Sequence, residues 1–86
     1  MTREIIGFDA KSFPAAGIEH QTMVLLTVLV RRVEGTHKAY QAIVPDHSRR
    51  DHLYLEQRDW VAKHGHALRY ADAARIWDMK PEEYAR

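Results

Sequence analysis

Residues 22–45 read TMVLLTVLVRRVEGTHKAYQAIVP, and this stretch decides the fold. Met23 to Val30 is almost wholly apolar and rich in β-branched side chains, which is strand composition. Alternation puts Val24, Leu26, Val28 and Val30 on one face and Met23, Leu25, Thr27 and Leu29 on the other. Neither face turns polar before Arg31, so this strand needs cover on both sides. His37 to Val44 reads as a second strand, with Tyr40, Ala42 and Val44 on one face. Pro45 ends it, because proline brings no N–H to a ladder. The two form a long hairpin around a tight turn at Glu34-Gly35-Thr36. A three-residue loop pairs Val33 with His37, Val30 with Tyr40 and Leu26 with Val44, which brings the more apolar faces together. A two-residue Glu34-Gly35 turn would slip the register by one and move every side chain to the other face.

Outside the hairpin, Glu4 to Phe8 reads as a short edge strand. Asp9 to Gly17 reads as a loop punctuated by Pro14 and Gly17, with Phe13 as its anchor. After the hairpin, Ser48 to Asp51 has capping-box spacing, which predicts a helix over 49–64. Leu53, Gln57, Trp60 and His64 form its apolar stripe, and Gly65 suits a left-handed C′ position. Tyr70, Ala73, Ala74 and Trp77 predict a second helix over 70–77. Both tryptophans are therefore expected to be buried. Pro81 opens a last short turn, and Tyr84 docks back on the core.

Eighty-six residues make one domain, 1–86, and a chain this short has a thin core. There is no cysteine, so neither a disulfide framework nor a thiolate metal site supports it, and a cytoplasmic location is expected. The net charge of +1 gives no general attraction to polyanions. No apolar run reaches membrane-spanning length, and the N-terminus lacks signal-peptide character. Together these features predict an α+β domain. Its expected core is an antiparallel two- or three-stranded sheet built on the 22–45 hairpin, with two C-terminal helices packed on one face.

Chemistry-bearing patterns are sparse. Ser12 and Ser48 are the only serines, and no phosphate-cradling glycine loop or nucleophile elbow occurs. Six histidines include His64 and His66, and the Asp-His pairs at 46–47 and 51–52, but none has zinc-ligand spacing. No catalytic residue, metal site or cofactor is expected. The hairpin tip gathers Arg31, Arg32, His37 and Lys38 beside Tyr40, a basic ribbon with an aromatic suited to nucleic-acid phosphates and a stacked base. Ala73 to Arg86 (AARIWDMKPEEYAR) resembles the helix-turn-helix of bacterial regulators in its small residues and in the apolar Met79 and Tyr84. It departs from that pattern at Asp78, where the family usually has glycine. The resemblance implies DNA binding through the C-terminal helices.

If the helices cover one sheet face, the other leaves Met23, Leu25 and Leu29, or their even-numbered counterparts, in water. An apolar patch of that kind marks an interaction surface, and a two-fold dimer buries it on both copies. The leading expectation is a non-catalytic protein–protein interaction module that forms a homodimer through Met23, Leu25 and Leu29. The alternative is a small nucleic-acid-binding protein or regulator using the basic tip or the C-terminal segment.

Overall fold

The computed structural model describes residues 4–14, 22–45 and 50–85, apart from the side chains of 50–56. Strands β1 (Glu4–Pro14), β2 (Thr22–Arg31), β3 (His37–Pro45) and β4 (His66–Ala67) form one antiparallel sheet in the order β1-β2-β3-β4. Helix α1 (Arg50–His64) precedes β4; α2 (Tyr70–Ile76) and a 3-10 turn at Pro81–Glu83 follow it. The α+β class and the hairpin-built sheet with two C-terminal helices are as expected. The sheet is larger, because β1 extends to Pro14 and pairs with β2 along its whole length. Asp9 to Pro14 is therefore strand rather than loop. Pro14 is accommodated at the end of an outer strand, where a missing N–H disrupts no ladder. The Ser48–Asp51 capping box lies outside the described residues.

The hairpin register differs from the expected one by two residues. Arg31 pairs with His37, Val28 with Tyr40 and Val24 with Val44. The loop is Val33-Glu34-Gly35. The N–H of Gly35 donates to Arg32 O at 2.9 Å and that of Arg32 to Thr36 O at 2.7 Å. Gly35 has φ of 94°, so it takes the left-handed position that closes a three-residue loop. Placing this glycine last in the loop, rather than in its middle, moves the turn back one residue and the register by two. A shift of two leaves every side chain on its face, so the facial assignment stands.

The core has two halves, one on each face of β2. On one face Val24, Leu26, Val28 and Val30 pack with Val61 and Ala62 of α1, and with Ile5, Tyr40, Ala42 and Val44 at the margin. On the other, Leu29 and Ala39 pack with Leu68, Ala73, Met79 and Tyr84. The two helices thus lie on opposite faces, not on one. The reason is β2 itself: apolar on both sides, it leaves either half of the core wet unless each receives a helix. Among the described side chains of α1, Val61 and Ala62 are the buried ones, and Trp60 beside them turns outward and is 54% exposed, contrary to the burial expected of it. Trp60 stacks loosely on His64 instead, with ring centroids 5.6 Å apart. Trp77 is half-buried over Gly7, where an added Cβ would stand 2.9 Å from the indole nitrogen.

Going from one face to the other requires the chain to round the β3 edge, and β4 is that crossing. His66 pairs with Gln41 and Ala67 with Tyr40. Gly65 makes the corner. It is a glycine for lack of room: a Cβ there would lie 2.5 Å from Val61 O and 3.1 Å from Tyr40 Cβ, and its φ is not positive. Beyond α2 the chain returns to the same edge. Tyr84 bridges to His37, and the N–H of Ala85 donates to His37 O at 2.7 Å. The Tyr84 hydroxyl accepts from the Ala39 N–H at 3.1 Å and donates to Leu68 O at 2.5 Å. Both are main-chain groups that burial would otherwise leave unsatisfied. Burial also raises the Tyr84 pKa above its ordinary value.

Candidate interaction surface

Among the described residues, the cover on the α2 face is the helix and the C-terminal return, at the upper end of the sheet. Leu29 is 6% exposed, and Thr27 is fully buried and accepts a hydrogen bond from Gln41 Nε2 at 3.3 Å. Leu29, expected on the open patch, is therefore interior to the chain. Met23 and Leu25 lie lower and remain half-buried. The register aligns Phe13, Met23 and Pro45 in one row and Lys11, Leu25 and Ile43 in the next. Phe13 is 36% exposed and Ile43 59%. The result is a contiguous apolar strip across three strands, with one ammonium at its border. An open depression of about 550 Å³ separates it from α2, between Lys11, Leu25 and Gln41 on the sheet and Asp72, Arg75 and Ile76 on the helix. Sequence reading missed Phe13 and Ile43. Ile43 shares the parity of Leu25 across the hairpin and was open to detection; Phe13 required knowing that β1 runs past Asp9.

The two edges of the sheet differ. From His37 to Gln41 the β3 edge is closed by β4, by the Leu68 N–H donating to Ala39 O at 2.9 Å and by the Tyr84–Ala85 return. Among the described residues no strand lies beyond β1, which is the outer strand for its full length. Its ladder with β2 is interrupted once, between Ile5 and Gly7, where Ile6 is the extra residue of a bulge. From Gly7 to Phe13 the pairing is regular.

The basic tip is not a free cationic cluster. Arg31 pairs with Glu4 across β1 and β2. Arg32 lies 4.0 Å from Glu34 and 3.4 Å from the Tyr40 hydroxyl, a contact that raises the Arg32 pKa further. Lys38 Nζ donates to Ala85 O at 3.2 Å and sits 5.0 Å above the Tyr84 ring. His37 Nδ1 lies 3.0 Å from Glu83 O and donates to it. Arg31 and Lys38 thus serve opposite borders of the sheet, and Tyr40 faces α1. The helix-turn-helix resemblance also ends at α2. Residues 77–80 leave helical geometry, and the only helical turn after them among the described residues is the three-residue Pro81–Glu83 segment. That is too short to fill a major groove as a recognition helix.

Among the described residues, no group of three His, Cys, Asp or Glu converges, and no helix is long and apolar enough to cross a membrane. The chain matches no protein-family model, no curated protein and no solved structure.

Proposed function

We propose that the chain is a small, non-catalytic protein–protein interaction module that associates with a second copy of itself. The observation that carries this reading is the strip of Phe13, Met23, Leu25 and Ile43, which stays open after both helices have docked. Each such group left in water forgoes part of the ~1.5–3 kcal/mol that full burial contributes. A thin-cored chain gains by covering even part of this surface. Absence of cysteine suits a reducing, cytoplasmic setting. The nucleic-acid reading at the tip draws less support, since the tip's side chains already hold acceptors within the chain.

Size-exclusion chromatography of a Phe13→Ser, Ile43→Ser double variant tests the proposal. Both side chains are exposed, so the fold should survive while elution moves to the position of one chain. A folded variant that elutes with the wild type would show that the strip is not the contact.

A further inference from the structure

We infer that the second copy is taken up edge to edge, β1 against β1 of its partner, antiparallel and centred on Ala10, giving one continuous eight-stranded sheet. This rests on the self-association proposed above and specifies its geometry. Three independent observations lead to it.

The first is the asymmetry of the edges. Head-to-tail pairing along the full β1 ladder needs a second open edge of the same length, and β4 and the Tyr84–Ala85 return occupy the β3 edge from His37 to Gln41, leaving at most Ala42 to Pro45. Over its full regular length the β1 edge can then pair with its own kind, which is an isologous contact that closes at two copies.

The second is the extent of regular strand. The bulge at Ile6 bounds it at one end and Pro14 at the other, leaving Gly7 to Phe13 as ladder. A two-fold axis normal to the sheet must pass through the midpoint of the paired segment, and the midpoint of Gly7 to Phe13 is Ala10. A small residue at the axis lets the strands approach.

The third is charge. About Ala10, Asp9 faces the partner's Lys11 and Lys11 faces the partner's Asp9, two opposite-charge pairs directly across the new ladder. Among the described residues neither side chain has an ion-pair partner in its own chain. Centring on Asp9 sets two carboxylates face to face. Centring on Lys11 does the same with two ammonium groups, and centring on Phe8 leaves the charges opposite Gly7 and Ile5. The Ala10 register also lays the partner's Phe13 opposite Gly7, a glycine already roofed by Trp77. Because the axis is normal to the sheet, both apolar strips lie on the same side of the joined sheet; Phe13 enters the seam, while Met23, Leu25 and Ile43 stay on that shared open face.

The chain has no cysteine, so Ala10→Cys introduces a single thiol. Residues directly opposed in an antiparallel pair have Cα atoms about 4.5–5.5 Å apart. A disulfide spans roughly 4.4–6.8 Å. Under mild oxidation Ala10→Cys should form a covalent dimer nearly quantitatively, while Ser12→Cys, set opposite Phe8, should not. Asp9→Lys should weaken association about tenfold or more, and adding Lys11→Asp should restore it. Circular dichroism confirms that each variant is folded. A wild-type dimer in which Ala10→Cys does not cross-link and the charge swap does not rescue would overturn this edge pairing while leaving self-association standing. A folded wild-type monomer would overturn both.

Discussion

Replacing Tyr84 with Phe removes one oxygen from the point where the C-terminal return is fastened to the sheet. The ring stays, so its packing with Leu29, Ala39, Leu68, Ala73 and Met79 is retained. Two main-chain partners are lost: the Ala39 N–H, which donates to the hydroxyl, and Leu68 O, which accepts from it. Tyr84 is 6% exposed, so water does not readily take the place of the hydroxyl. An orphaned buried polar group costs ~1–3 kcal/mol. The carbonyl has a second lone pair and suffers less than the amide, so the pair should come to about 2–3 kcal/mol. Against a total of ~5–15 kcal/mol for a small domain, that is a large fraction. Urea unfolding at fixed protein concentration measures it, since any association would make apparent stability concentration-dependent. With a slope of ~1 kcal/mol per molar, the midpoint should fall by roughly 2 M at unchanged slope. A loss below about 0.5 kcal/mol would mean that the return is held by its apolar contacts alone, and that the hydroxyl is solvated.

Three further outcomes follow from the same packing. Val61→Ala, at a fully buried site, should cost about 2–3 kcal/mol, whereas Trp60→Ala should cost about 1 kcal/mol or less; thermal or urea unfolding of the two side by side would expose a reversed order. Gly65→Ala forces a methyl to 2.5 Å from a backbone carbonyl and should cost roughly 3 kcal/mol, the upper end for overpacking, with a neutral result showing that the corner is looser than described. Burial raises the Tyr84 pKa, so the folded state holds this proton more tightly than the unfolded chain. Its contribution is fully present below pH ~10 and should be lost as pH rises through the folded value, and the Tyr84→Phe variant should show a smaller alkaline loss.

Much of this was legible in the residues because strand parity is robust. The alternation of Val24, Leu26, Val28 and Val30 against Leu25, Thr27 and Leu29 announced a strand needing cover on both sides, and it survived a two-residue error in register. That error was itself avoidable, because only the last position of a three-residue loop demands the left-handed conformation Gly35 takes. The split of the helices between faces was implied by the same strand. It was hidden because β4 is two residues long and has no pattern of its own. Trp60 misled for a different reason. On α1 charged residues surround every candidate stripe, so the smaller Val61 and Ala62 could face the sheet and turn the indole to solvent. Of the residues expected on the open patch, Met23 and Leu25 remain half-buried and Leu29 is covered, because the cover provided by Met79 and Tyr84 comes from a tail whose path no local signal gives. The extension of β1 through Phe13 was obscured by Pro14, which reads as loop unless the strand is known to be an edge.

The central claim is that this chain does not act alone, and sedimentation equilibrium of the unmodified protein tests it most directly. At micromolar concentration and moderate salt the account predicts the mass of two chains, shifting toward one on dilution. A single-chain mass at every concentration, with the protein folded, would contradict it.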